Sequence, residues 1–209
     1  MKAIYCSTSP GQAKYMLAKD VEKPTPDKYE IVVQVKSCAL VCPKCKALNE
    51  LFKKTPRERY IVGQDVAGIV VEIGEGVSNV LIGDSVVGIV PVDSYYPGGG
   101  EFCCMSEYDV VRKPDRLSFE DAAASIGDCV KAYTGLFYQA KVCSGDTILV
   151  MDGASSFGYT VIQLATQWGA KVCSGDTILV MDGASSFGYT VIQLATQWGA
   201  KVCSGDTIL

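Results

Sequence analysis

Apolar and polar positions along the chain follow two regimes, and the change comes near Ser118. Before it the runs are short and β-branched. "IVVQVK", Ile31 to Lys36, alternates in part and predicts a strand. Between Gly63 and Val92 the chain reads "GQDVAGIVVEIGEGVSNVLIGDSVVGIVPV", apolar runs separated by Gly74-Glu75-Gly76 and Gly83-Asp84. Glycine supplies the positive φ of a tight turn, and Asp84 can bond its neighbouring backbone. Pro97 and Gly98 to Gly100 predict an exposed loop, followed by a strand near Glu107 to Arg112 that leads to Pro114. Many short strands with frequent turns favour a small barrel or sandwich.

From Ser118 the period lengthens. "SFEDAAASIGDCVKAYTGLFY" is alanine-rich, with Ser118 as N-cap and Asp121 three positions on. This predicts a helix and a domain boundary near residues 116–124. Thr147 to Met151, "TILVM", then has the length and apolarity of a buried parallel strand. After "DGASSFG", Val161, Ile162, Leu164, Ala165 and Trp168 form one helical stripe, and Gly169 is placed to end it. A strand, a glycine turn and a helix N-terminus can cradle a diphosphate through backbone N–H groups and the helix dipole. Against the spacing G-x-G-x-x-G the chain offers Gly153, Ala154, Ser155, Ser156, Phe157 and Gly158, so serine holds the middle glycine position. These six are the candidate cofactor-binding residues. The alternative is an ordinary strand-to-helix turn.

The thirty residues 141–170 return letter for letter at 171–200, and a third copy begins at 201–209. Natural repeats drift, and these have not. The identity reads as one functional unit duplicated by an error of transcript, assembly or gene prediction in a truncated chain. The competing reading is a tandem array with strands beginning near Thr147, Thr177 and Thr207. Asp176 follows Gly158 at nearly the spacing of a ribose-binding acid, but it copies Asp146, which precedes the first strand. It is therefore not counted as a ligand.

Composition narrows the class. The chain has 209 residues, 48% hydrophobic, with net charge -4, ten cysteines and no histidine. An acidic balance excludes a nucleic-acid surface, and Lys53, Lys54, Arg57 and Arg59, interrupted by Glu58, read as a solvated face. No apolar run has the length of a membrane span, and the start lacks a secretory pattern. The expectation is a cytoplasmic protein with reduced thiols. Cys38, Cys42 and Cys45 have a suggestive spacing, but no second paired cluster follows, so no metal is expected.

Three blocks in order carry a family likeness: "VGQDVAGIVVEIGEGVSNVLIGDSVVGIVPVDS", "DAAASIGDCVKAYTGLFY" and "ILVMDGASSFGYTVIQLATQWGAKV". Over residues 1 to about 172 the chain resembles the medium-chain dehydrogenase/reductases, in particular the zinc-free quinone oxidoreductases of the zeta-crystallin type. The resemblance implies an α/β protein with an all-β part: a GroES-like barrel over 1–120, then an incomplete Rossmann-like parallel sheet over 121–209. It implies NADPH as cofactor, with NADH not excluded. The implied reaction is hydride transfer to a small-molecule quinone or other conjugated carbonyl. Zinc-dependent relatives carry histidine where this chain has Gln64 after Gly63, and four structural-zinc cysteines absent here. Cys42, Gln64, Asp128 and Tyr133 lie in segments that face the cleft in relatives, yet no catalytic residue can be named from them. Relatives commonly pair through the Rossmann sheet, so a homo-oligomer is the expectation for a full-length form. The alternatives are a non-catalytic nucleotide-binding or scaffold protein on the same fold, and a non-functional chain.

Overall fold

Valine and isoleucine runs without strict alternation can bury both faces of a sheet, and in the first part of this protein they do. The computed structural model describes residues 1–7, 14–40, 59–148, 150, 153–172, 178–180 and 202–204. Two compact units divide the chain, Met1–Gly127 and Asp128–Leu209.

In the first unit β1 (Ala3–Ser7), β2 (Lys14–Ala18) and β4 (Arg59–Ile61) make a three-stranded antiparallel sheet in the order β2-β1-β4. β3 (Glu30–Ala39), β5 (Asp65–Ile73), β6 (Ser85–Ile89), β7 (Phe102–Ser106) and β8 (Val110–Arg112) make a five-stranded antiparallel sheet in the order β7-β3-β5-β6-β8. Irregularities in the β3–β5 register fall between Val32 and Val33 and between Val35 and Ser37. One face carries Ile31, Val33, Val66, Val70, Val86, Cys103 and Met105 into the main core. Each such valine contributes roughly 1.5–3 kcal/mol by leaving water. Ala67 and Val87 belong to a second cluster with Ala122, Ala123, Phe119 and Ile126 of helix α1 (Phe119–Tyr133). Alanine on both sides allows the helix backbone to approach the sheet closely. Ser118 caps α1, accepting from the Asp121 N–H at 3.0 Å.

The expected barrel is not formed. In the larger sheet the outermost strands, β7 and β8, pair with β3 and β6 respectively and not with each other, and the three-stranded sheet stands apart from it. Outside the named strands, the bridge between Ala3 and Gly100 is the isolated pairing among the described residues. Frequent short strands predict antiparallel pairing; closure depends on whether the end strands meet, and periodicity carries no term for that.

The glycine-rich segment also departs from expectation. Pro97, Gly98 and Gly100 are buried. Gly98 N–H donates to the Gly63 carbonyl at 2.7 Å, Gly99 N–H to Val62 at 2.6 Å, and Ile4 N–H to Gly99 at 2.8 Å. A Cβ at Gly98 would lie 2.2 Å from Val66 Cγ2, and one at Gly99 2.3 Å from the Val62 carbonyl oxygen. These glycines admit backbone to the interior; they do not mark solvent. The strand expected near Glu107 begins later, at Val110: residues 107–109 turn back from β7, with the Asp109 N–H donating to the Ser106 carbonyl at 3.1 Å, and Glu107 in that turn is fully buried. Its Oε2 accepts from the N–H groups of Ser78 and Asn79 at 2.8 Å each.

In the second unit a π-helical segment (Thr134–Gln139) follows α1. Then come β9 (Thr147–Ile148), α2 (Ser156–Gln167) and β10 (Lys171–Val172), with β9 and β10 parallel. Val161 and Ala165 of α2 pack with Ala132, Leu136 and Ala170, and Ile148, Leu164, Trp168 and Val172 close around them. Gly169 ends α2 at φ 80°. Its N–H bonds to Thr166 and that of Ala170 to Ala165, at 3.0 Å each, satisfying two terminal carbonyls. β11 (Ile178–Val180) and β12 (Val202–Ser204) form a separate parallel pair, Ile178 opposite Val202 as Ile148 is opposite Val172. The unit thus contains parallel pairs of strands and no continuous sheet among the described residues.

Candidate functional site

The glycine turn lies between a parallel strand and the start of α2, as a diphosphate cradle requires. Residues 149, 151 and 152 lie outside the described set, so β9 is seen at Thr147 and Ile148 only. Gly153 and Ala154 form the turn, Ser155 is the N-cap, and Ser156, Phe157 and Gly158 open the helix. Ala154 and Gly158 are buried, while Phe157 is largely exposed. A Cβ on Gly153 would meet Ile162 Cδ1 at 3.1 Å. That atom is the end of a side chain, which clears a Cβ by moving a few tenths of an ångström.

Ser155 explains how the motif tolerates its middle substitution. Its backbone is extended, φ -71° and ψ 159°, a conformation open to any residue. Its hydroxyl accepts from the Gly158 N–H at 3.0 Å, an N-cap bond to the third helical amide. Serine thus replaces glycine without backbone strain and satisfies one of the donors a helix start leaves over. The amides of Ser156 and Phe157 stand at the first and second helical positions, where a helix offers no intrahelical acceptor. Conformation alone therefore does not disqualify the turn as a phosphate site.

Asp128, near the end of α1, reaches this turn. Ser156 Oγ donates to Asp128 Oδ2 at 2.5 Å, and Lys131 Nζ lies 3.4 Å from Asp128 Oδ1. Tyr133 instead belongs to an aromatic cluster. Its ring stacks on Phe137 at 5.2 Å and meets Trp168 edge-on at 5.6 Å. Gln64 accepts the Val90 N–H with its backbone oxygen at 2.8 Å. Gly63 before it has φ 96° and faces Cys38 Sγ, so this position requires glycine. Cys42, Cys45, Lys53, Lys54, Arg57, Asp176, Thr207 and the second-copy turn from Gly183 to Gly188 lie outside the described residues. Asp146 is a turn residue, accepting the Cys143 N–H on its carboxylate at 2.8 Å.

Burial raises the thiols of Cys6, Cys38, Cys103, Cys104 and Cys129. Burial, then the Asp65 carboxylate, pushes Cys38 up to about 11. Burial, then a hydrogen bond to Glu30, pushes Cys104 up to about 12. Cys103, beside it and deeper, is raised further by burial. Among the described residues no three His, Cys, Asp or Glu side chains are grouped to hold a metal ion. No described helix is long and apolar enough to cross a membrane.

The chain shows family-level similarity to the zinc-independent, quinone oxidoreductase-like medium-chain dehydrogenase/reductases. Residues 27–115 match the alcohol dehydrogenase GroES-like domain family. Among individual relatives, quinone oxidoreductase-like protein 1 of Mus musculus is 39% identical over 167 residues, 79% of this chain and 47% of that protein. The chain thus spans about half the length of this relative. The quinone oxidoreductase of Coxiella burnetii superposes with a TM-score of 0.71 at 27% identity, covering 98% of this chain and 62% of that one. A mycobacterial protein solved in complex with NADPH gives 0.71 at 24% identity, covering 99% and 60%, and shows the shared fold.

Proposed function

We propose that the turn from Gly153 to Gly158 holds the diphosphate of NADPH, and that the protein is a zinc-independent reductase of quinones or other conjugated carbonyls. The observation that carries this reading is the capped turn between β9 and α2, with Ser155 as N-cap and the next two amides leading the helix. When bound, the nucleotide would supply the hydride. The chain's own part would be binding and orientation: backbone N–H groups for the phosphates, with Gly153 and Ala154 letting the chain pass close to them. Support comes from the similarity to quinone oxidoreductases and from the fold shared with the NADPH-bound mycobacterial protein.

A second reading, a nucleotide-binding protein without turnover, is favoured by the Ser155 hydroxyl being engaged with Gly158. One experiment separates the two. NADPH is titrated against the protein by fluorescence, and NADPH oxidation is then followed at 340 nm with a simple benzoquinone. Saturable binding with quinone-dependent oxidation supports the reductase. Binding without turnover selects the second reading, and no binding at millimolar nucleotide overturns both.

A further inference from the structure

Among the described residues, a carboxylate of the chain itself bonds to the start of α2. A diphosphate binding there would need positive charge and hydroxyl donors beside the helix amides. The Lys131 ammonium and the Ser156 hydroxyl are groups of this kind among the described residues, and both bond to one carboxylate. Ser156 Oγ donates to Asp128 Oδ2 at 2.5 Å, and Lys131 Nζ lies 3.4 Å from Oδ1. The Asp128 side chain is mostly buried, at 21% exposure, whereas that of Lys131 is 67% exposed and can swing toward a ligand. A nucleotide phosphate arriving at the Gly153–Gly158 turn would meet this carboxylate as a like charge, and would compete with it for the same donors.

We infer that Asp128 is an intramolecular stand-in for the nucleotide's diphosphate, holding Lys131 and Ser156 until phosphate oxygens replace it. The inference rests on the nucleotide reading above and adds its regulation. Binding becomes an exchange: Lys131 and the Ser156 hydroxyl pass from carboxylate to phosphate, and affinity is set by the difference between the two partners. A merely structural Asp128 would act otherwise, since its loss would lower stability without raising affinity.

The test is fluorescence titration of NADPH against the full chain, its Asp128→Asn and Asp128→Ala variants, and Lys131→Met, with thermal unfolding of each followed by circular dichroism. Asn retains an acceptor for Ser156 and removes the charge; Ala removes both. The expected result is NADPH binding about tenfold tighter in Asp128→Asn, with Asp128→Ala shifted the same way, and about tenfold weaker in Lys131→Met. Equal or weaker binding in whichever Asp128 variant folds, beside saturable binding by the unaltered chain, overturns the stand-in and leaves the nucleotide reading intact. Unchanged binding in Lys131→Met also overturns it. Binding by none of the chains overturns the nucleotide reading itself, and the inference with it.

Discussion

Ser155 offers a perturbation in which stability and binding separate. Its hydroxyl accepts the Gly158 N–H at 3.0 Å, and its φ of -71° makes no demand for glycine. Ser155→Ala removes the acceptor and keeps the Cβ, which should cost about 1 kcal/mol, within the usual range of roughly 0.5–2 for loss of an N-cap. Ser155→Gly removes both hydroxyl and Cβ, yet should cost only a few tenths, about 0.3 kcal/mol, as glycine does at helix N-caps in general. For a chain of this size about 1 kcal/mol lowers Tm by roughly 2–4 °C, so the alanine variant should melt measurably lower and the glycine variant nearly in place. Binding should order them differently. If the amides of Ser156 and Phe157 hold the phosphates, Ser155→Gly, which restores the glycine spelling and opens space for backbone approach, should bind NADPH at least as tightly as the unaltered chain. Thermal unfolding by circular dichroism and NADPH titration measure the two quantities on the same samples. An alanine variant with unchanged Tm would refute the capping role. A glycine variant that folds but no longer binds would show that the serine hydroxyl, and not the amides, makes the phosphate contact.

Three further outcomes follow from the first unit and its thiols. Glu107→Ala should destabilise by about 2–4 kcal/mol, since it removes a buried carboxylate that receives two backbone N–H groups at 2.8 Å; Glu107→Gln, which keeps an acceptor, should lose less in the same urea melts. Gly127→Ala would place a Cβ 2.2 Å from the Asp65 carboxylate, and should cost about 1–3 kcal/mol and lower Tm, whereas a Tm within a degree of the original would show that the carboxylate moves aside freely. Cys38 and Cys104, raised from 9.0 to about 11 and about 12, should resist aromatic disulfide reagents at pH 8 in the folded protein. Because these folded values lie above the unfolded one, the folded state keeps its protons longer. Their contribution to stability is therefore fully present below pH 9 and is lost as pH rises through about 11 and 12, which a series of urea melts across that range would reveal.

Much of the candidate site is legible from local pattern. The N-cap Ser118, the apolar stripe on α2 and the left-handed Gly169 are each determined within a few residues, where short hydrogen bonds and side-chain period decide the conformation. Asp128 is different. It precedes Ser156 by twenty-eight positions, and only packing of α2 against the last turns of α1 within the second unit brings the two together. The burial of Glu107 and of Gly98 is equally invisible locally, because charge and glycine both read as surface until the neighbours are placed.

The repeat separates what sequence determined from what tertiary structure decided. Lys141-Val142 and Lys171-Val172 are the same pair of residues followed by the same sequence. The second pair is a strand, lying parallel to Thr147 and Ile148. The first is irregular, with Lys141 at φ 51° and the Val142 N–H bonded to Leu136. Sequence alone determined the turn, the caps and the helix period, since their bonds close within one segment. Strand formation at Lys171, like the open edge of the N-terminal sheet, was decided by the tertiary structure, because a strand exists only where another backbone lies alongside to take its hydrogen bonds.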